Sequence, residues 1–125
     1  MYSEKVLDHF HHPRHAGEIS QPSLTVEVTN PVCGDVLKVW LRLSSGRVDA
    51  AKFKVAGCVP AVACGSWLAE WIQGKTLAAL TPVSPSQIEE ALGGLPAASK
   101  HASALASEAL NQLLAKLAHE EGGAR

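Results

Sequence analysis

The chain is 125 residues long, 46% hydrophobic, with a formal net charge of −1, which suits one globular domain around one core. So balanced a charge gives no electrostatic reason to expect nucleic acid or an anionic membrane as the main partner. Apolar stretches are broken well before the ~20 residues of a membrane span. The opening Met-Tyr-Ser-Glu-Lys lacks the basic-then-apolar pattern of a secretory leader, so the cytoplasm is the expected compartment.

Ser3 can cap a short helix running to about His12, with Val6, Leu7 and Phe10 on one side, and Pro13 stops it. Residues 14–22 read as loop. Leu24, Val26 and Val28 alternate with Thr25, Glu27 and Thr29, the pattern of a half-buried strand. Asn30-Pro31 breaks it, and Cys33-Gly34-Asp35 follows as a loop. A second strand spans Val36 to Leu43, with Leu37, Val39, Leu41 and Leu43 facing one way and Lys38, Trp40 and Arg42 the other. Ser44-Ser45-Gly46 is a hairpin turn. A third strand, Val48 to Val55, points Ala51, Phe53 and Val55 inward and Lys52 and Lys54 outward. Short connections imply antiparallel pairing.

After Ala56-Gly57-Cys58 the period changes to that of a helix, with Pro60 in its first turn. Trp67, Leu68, Trp71 and Ile72 make its apolar stripe, and Gly74 ends it. Residues 76–80 form a short helical turn. Ser84-Pro85-Ser86-Gln87 is a capping box opening a short helix that stops at Gly93-Gly94. The last helix starts near Lys100 and runs to about Ala118, with Leu110, Leu113, Leu114 and Leu117 on one face. Residues 120–125 are expected to fray. The whole predicts an α+β fold: a three-stranded antiparallel sheet with an N-terminal helix and several C-terminal helices packed on one side, forming a single domain over residues 1–125.

Cys33, Cys58 and Cys64 are an odd number of cysteines, which argues against a closed disulfide framework. In a reducing compartment they read as metal or sulfur ligands or as core residues. Three places combine ligand-type side chains with unusual backbone: Cys33-Gly34-Asp35 before a strand, Gly57-Cys58 between strand and helix, and Lys100-His101 at the start of the last helix. Such element ends can cluster at one edge of the domain. Glycine beside cysteine lets backbone approach an ion closely. A helix N-terminus at Cys58 favours the thiolate that binds metal. No CxxC knuckle is present, so a zinc ribbon is excluded.

The sequence Tyr2-Ser3-Glu4-Lys5-Val6-Leu7-Asp8-His9-Phe10, continued by His12-Pro13-Arg14 and Gly17, resembles the start of IscU/NifU-type scaffold proteins. So do Cys33-Gly34-Asp35-Val36-Leu37-Lys38, the stretch from Ala51 to Cys58, and Trp71-Ile72-Gln73-Gly74-Lys75-Thr76-Leu77. The resemblance runs in order over nearly the whole chain. It implies that Cys33 and Cys58 are cluster ligands, that Asp35 takes part in metal binding and in cluster release, and that His101 completes the site. It further implies a labile 2Fe-2S cluster built from iron and from sulfur supplied by a cysteine desulfurase, then passed to acceptor apo-proteins. Zinc can occupy such a site when no cluster is present.

The family expects cysteine directly after that histidine, where this chain has Ala102. The matched set is thus two thiolates, one imidazole and one carboxylate, which would also hold tetrahedral zinc. Cys64 is a possible extra ligand. On a regular helix it would stand ~240° from Cys58, but Cys58 is placed before the helix, and the alternative is a small hydrophobe beneath the site. Leu95-Pro96-Ala97-Ala98-Ser99 stands where IscU-type members carry a Leu-Pro-Pro-Val-Lys chaperone segment, and only its first two residues match. His9, His11, His12 and His15 read as solvated helix-face residues, and Trp67 and Trp71 as core. Few thiolates per chain make a homodimer sharing one cluster an open option. The reading is a scaffold rather than an enzyme, with a divergent zinc-binding or interaction module as the alternative. A cysteine nucleophile with His101 as base finds no substrate-pocket signature.

Overall fold

The computed structural model describes residues 1–123. Its elements are α1 (Glu4–His11), β1 (Leu24–Thr29), β2 (Val36–Ser44), β3 (Arg47–Ala56), α2 (Val59–Ile72), a 3₁₀ turn (Leu77–Ala79), α3 (Pro85–Ala91), a second 3₁₀ turn (Ala97–Ser99) and α4 (Lys100–Gly123). The α+β reading holds. The last helix continues past the expected end near Ala118 to Gly123, and of the tail expected to fray, residues 124 and 125 lie outside the described residues.

The three strands form one sheet in the order β1-β2-β3, both pairings antiparallel. Alternation in the sequence places Val26, Val28, Leu37, Val39, Leu41, Ala51 and Phe53 in the core. A register shift between Arg42 and Leu43 loosens the end of β2, and Leu43 is only half buried. Trp40, expected outward, does lie on the open face, yet it is 7% exposed. Lys38 covers it, its Nζ 5.0 Å from the ring centroid.

Helices α2 and α4 cover the other face. The buried side of α2 is lined by Ala61, Cys64, Gly65, Leu68 and Ile72; of the expected stripe, Leu68 and Ile72 are fully buried, while Trp67 and Trp71 pack at its margin. Those two rings are half buried and stack on each other at 6.0 Å. Small residues win the sheet-facing side because the helix sits close: a Cβ at Gly65 would lie 2.8 Å from the Phe53 ring. At α3 both halves of the capping box form.

Helix α1 is fixed from both ends. The Ser3 hydroxyl caps its first turn through Val6 N–H at 3.1 Å and donates to the Leu92 carbonyl. His9, expected in solvent, is buried. Its Nδ1 lies 2.8 Å from the Ser66 hydroxyl, which also accepts the Arg14 backbone N–H at 2.8 Å.

Candidate metal centre

Two strand ends and two helix starts meet at one corner. The β1–β2 connection carries Cys33 and Asp35, the β3–α2 connection carries Cys58, and α4 begins at Lys100-His101. Gly34, between Cys33 and Asp35, has φ +77°, a left-handed turn residue for which glycine has no steric cost. The loop is held by hydrogen bonds from Asn30 N–H to Asp35 O and from Gly34 N–H to Asn30 O, each 2.8 Å.

Donor atoms of Cys33, Asp35 and His101 lie within 4.8 Å of one another. Cys58 Sγ donates to Asp35 Oδ2 at 3.1 Å and stands 3.6 Å from His101 Nε2. His101 Nε2 is 3.5 Å from the same Asp35 oxygen. Asp35 and His101 are therefore neighbours of both thiols. Cys33 is exposed, Cys58 half buried, His101 half buried and Asp35 buried. Two sulfurs, one imidazole nitrogen and one carboxylate oxygen suit zinc or iron better than a hard cation.

The thiol of Cys58 departs from the expectation of an activated thiolate. Burial raises its pKa first, and the hydrogen bond to the Asp35 carboxylate raises it further; backbone amides at the start of α2 oppose this but do not win. With no cation present, the helix N-terminus is outweighed by a carboxylate in direct contact. Cys58 thus holds a proton aimed at Asp35.

Cys64 lies in the core cluster, fully buried, and burial pushes its thiol up to about 12. Its side chain packs as a small hydrophobe. Ala102 is also fully buried, so the side chain after His101 turns inward, where a methyl fits.

The glycines beside the site cysteines are expected to let backbone approach an ion. At Gly57 the task is different. A Cβ there would stand 2.6 Å from Asp35 Cγ and 2.8 Å from its Oδ1, so Gly57 makes room for the carboxyl. A glycine preceding Cys58 was the signal, but only the packed structure names what fills the space.

A family model described as the NifU-like N-terminal domain matches residues 1–122. The chain belongs to this family. Among curated proteins it resembles the iron-sulfur cluster assembly scaffold protein IscU 1 of Archaeoglobus fulgidus, 37% identical over 98% of this chain and 80% of that protein. It likewise resembles the IscU scaffold of Haemophilus influenzae, 37% identical over 97% of this chain and 98% of that one. Among solved structures, a putative scaffold for the SUF system from Fervidobacterium islandicum superposes with a TM-score of 0.68 at 20% identity, over 88% of this chain and 93% of that one. A NifU-like N-terminal structure from Brucella abortus gives 0.60 at 18%, over 89% and 78%. At such identities the two structures speak for the shared fold alone. Among the described residues no helix is long and apolar enough to cross a membrane.

Proposed function

We propose that this NifU-like chain is an iron–sulfur cluster assembly scaffold that gathers iron and sulfur at Cys33, Asp35, Cys58 and His101 and hands the product, a labile 2Fe-2S cluster, to acceptor apo-proteins. The observation that carries this reading is that Asp35 and His101 stand beside both thiols, grouped with the exposed Cys33 within 4.8 Å and with Cys58 at 3.1 and 3.6 Å. The cluster is cargo, so the chemistry is ligand exchange rather than turnover, and the chain acts in one cytoplasmic domain as a scaffold and not an enzyme.

The residues divide the work by exposure. Cys33, on an exposed loop beside Val32, itself 93% exposed, is the thiol an incoming sulfur donor such as a cysteine desulfurase meets first. Cys58 is held back, its Sγ–H on Asp35 Oδ2. Metal binding needs the thiolate, so iron displaces that proton to solvent and the Asp35 oxygen is freed to face the metal. His101, at the start of α4, supplies a nitrogen where the family pattern has a further sulfur beside it. With two matched thiolates per chain, two copies can share one cluster.

The test is anaerobic reconstitution of the purified chain with ferric iron and sulfide. Visible absorption should develop and be lost in Cys33→Ser and Cys58→Ser; a folded sample that stays colourless counts against the reading. A second reading, a zinc-holding interaction module, is favoured by the four-donor S, S, N, O set. Its mark is zinc that iron and sulfide do not displace.

A further inference from the structure

The two edges of the sheet are treated differently. Along β3, Phe53 N–H donates to His15 O and its carbonyl accepts from Gly17 N–H, Val48 exchanges hydrogen bonds with the Gly74–Lys75 backbone, and Ala51 N–H donates to Gln73 Oε1. That edge is covered.

The β1 edge is not. Its register pairs Val26 with Val39 and Val28 with Leu37, and Asn30 N–H continues the ladder onto Asp35 O. Alternation in an antiparallel pair then turns the backbone of Thr25, Glu27 and Thr29 away from β2. The Thr25 carbonyl accepts Lys116 Nζ at 2.5 Å, and Pro31, beyond the other end, has no N–H to offer. Between them, the outward N–H and C=O groups of Glu27 and Thr29 have no protein partner among the described residues.

Beside this open length, β1 and α4 leave a groove of about 290 Å³ lined by Val28, Pro31, His101, Ala104, Leu105 and Glu108 among others. Its floor is apolar, and His101 at one end belongs to the donor set. Two carboxylates flank the edge: Glu27 on the open sheet face, whose cross-strand neighbour Lys38 is turned over the Trp40 ring, and Glu108 on α4. Neither has a cation within 4 Å among the described residues.

From this we infer that the β1 edge is a docking site for a short extended segment of a partner protein, which adds as a fourth strand. The segment hydrogen-bonds Glu27 and Thr29, drops an apolar side chain into the groove and sets a lysine or arginine against Glu27. Edge addition takes its affinity from backbone bonds and its selectivity from alternate side chains. A second copy of this chain is the poorer occupant, because the self-paired register that engages most of the edge sets Glu27 against Glu27, a like-charge pair. The docked segment ends beside His101, which brings partner and donor set together. The inference goes beyond the scaffold reading and does not need it.

The test uses the metal-free chain and a blocked six-residue peptide alternating valine with lysine and threonine. Amide exchange followed by NMR should slow about tenfold at Glu27 and Thr29 with saturating peptide, with His101 resonances shifting. A peptide N-methylated at alternate amides should fail to protect them. Glu27→Lys should weaken the basic peptide by about two- to fivefold. The proposal falls if Glu27 and Thr29 exchange as fast with peptide as without, or if the N-methylated peptide protects equally. It also falls if protection rises with protein concentration alone, which would make the occupant a second copy. No iron or zinc enters the measurement, so failed cluster assembly leaves its result untouched.

Discussion

The Asp35 carboxyl rests against the α-carbon of Gly57, so closely that a methyl there would stand 2.6 Å from Asp35 Cγ and 3.0 Å from its Cβ. The overlap reaches Asp35 Cβ as well as the carboxyl tip, and the Asp35 carbonyl is pinned by Asn30 N–H. A small turn of the carboxyl therefore does not relieve it. Gly57→Ala is expected to cost about 1–3 kcal/mol of stability by overpacking and to break the contact from Cys58 Sγ to Asp35 Oδ2. Moving the Asp35 oxygen away from the other donors is expected to lower metal affinity by about ten- to a hundredfold. Zinc competition with a chromophoric chelator reads this directly, and unchanged affinity in a folded variant would contradict the part given to Asp35.

Cys64 separates core from ligand. As a fully buried thiol, it should tolerate Cys64→Ala at a cost of about 1–2 kcal/mol, with reconstituted absorption unchanged. Cys64→Ser buries a hydroxyl in an apolar site and should cost more, by about 1–3 kcal/mol, unless the hydroxyl finds a partner. Urea midpoints give the stabilities. A Cys64→Ala variant as stable as the parent but unable to bind metal would return Cys64 to the ligand set.

Much of this was legible in the sequence because local rules and tertiary packing agree. Alternation at Leu24, Val26 and Val28 places β1, and Ser84 with Gln87 opens α3. Cys33, Asp35, Cys58 and His101 stand out by their place at element ends and by the resemblance; Asp35 and His101 lie beside each thiol, but Cys58 is outside the group whose donors are all within 4.8 Å of one another. The misses share a cause. Helix α2 is apolar nearly all round, so its period does not say which side meets the sheet; Leu68 and Ile72 turn inward as expected, but Trp67 and Trp71 pack at the margin, because close approach at Gly65 leaves no room for a ring there. His9 looks like one of a polar run until Ser66, distant in sequence, supplies its partner. The helix start at Cys58 suggested a thiolate, and the opposing carboxylate of Asp35 comes from another loop. Each miss depends on a contact between segments that no local pattern encodes.

Acid should loosen α1. Burial lowers the pKa of His9 below its ordinary value, Arg14 lowers it further, and Glu70 and Asp8 only partly oppose them. The ring is thus neutral in the folded chain, hydrogen-bonded to Ser66 at Nδ1. As pH falls through about 6.5, the unfolded chain takes up a proton before the folded one does. Stability from this group is complete above that value and declines below it, toward the lowered folded pKa. The urea midpoint should fall between pH 7.5 and 5.5. His9→Asn, which keeps a hydrogen-bonding group near Ser66 but does not titrate, should flatten that slope. An equal slope in the variant would assign the pH dependence elsewhere.

The thiols should also report their own order. Cys33 is exposed, Cys58 is half buried and bound to Asp35, and Cys64 is fully enclosed. Alkylation needs both access and thiolate, and Cys58 lacks some of each because burial and Asp35 hold its proton on. Iodoacetamide at neutral pH, followed by peptide mass analysis, should label Cys33 first, Cys58 more slowly, and Cys64 only when the chain unfolds. Zinc added beforehand should slow Cys33 and Cys58 together, since both thiols have Asp35 and His101 as neighbours, and leave Cys64 as it was. Protection of Cys33 alone would mean that the two sulfurs do not grip one ion. The site would then be a single-thiol surface centre, too poor in sulfur to hold a cluster within one chain.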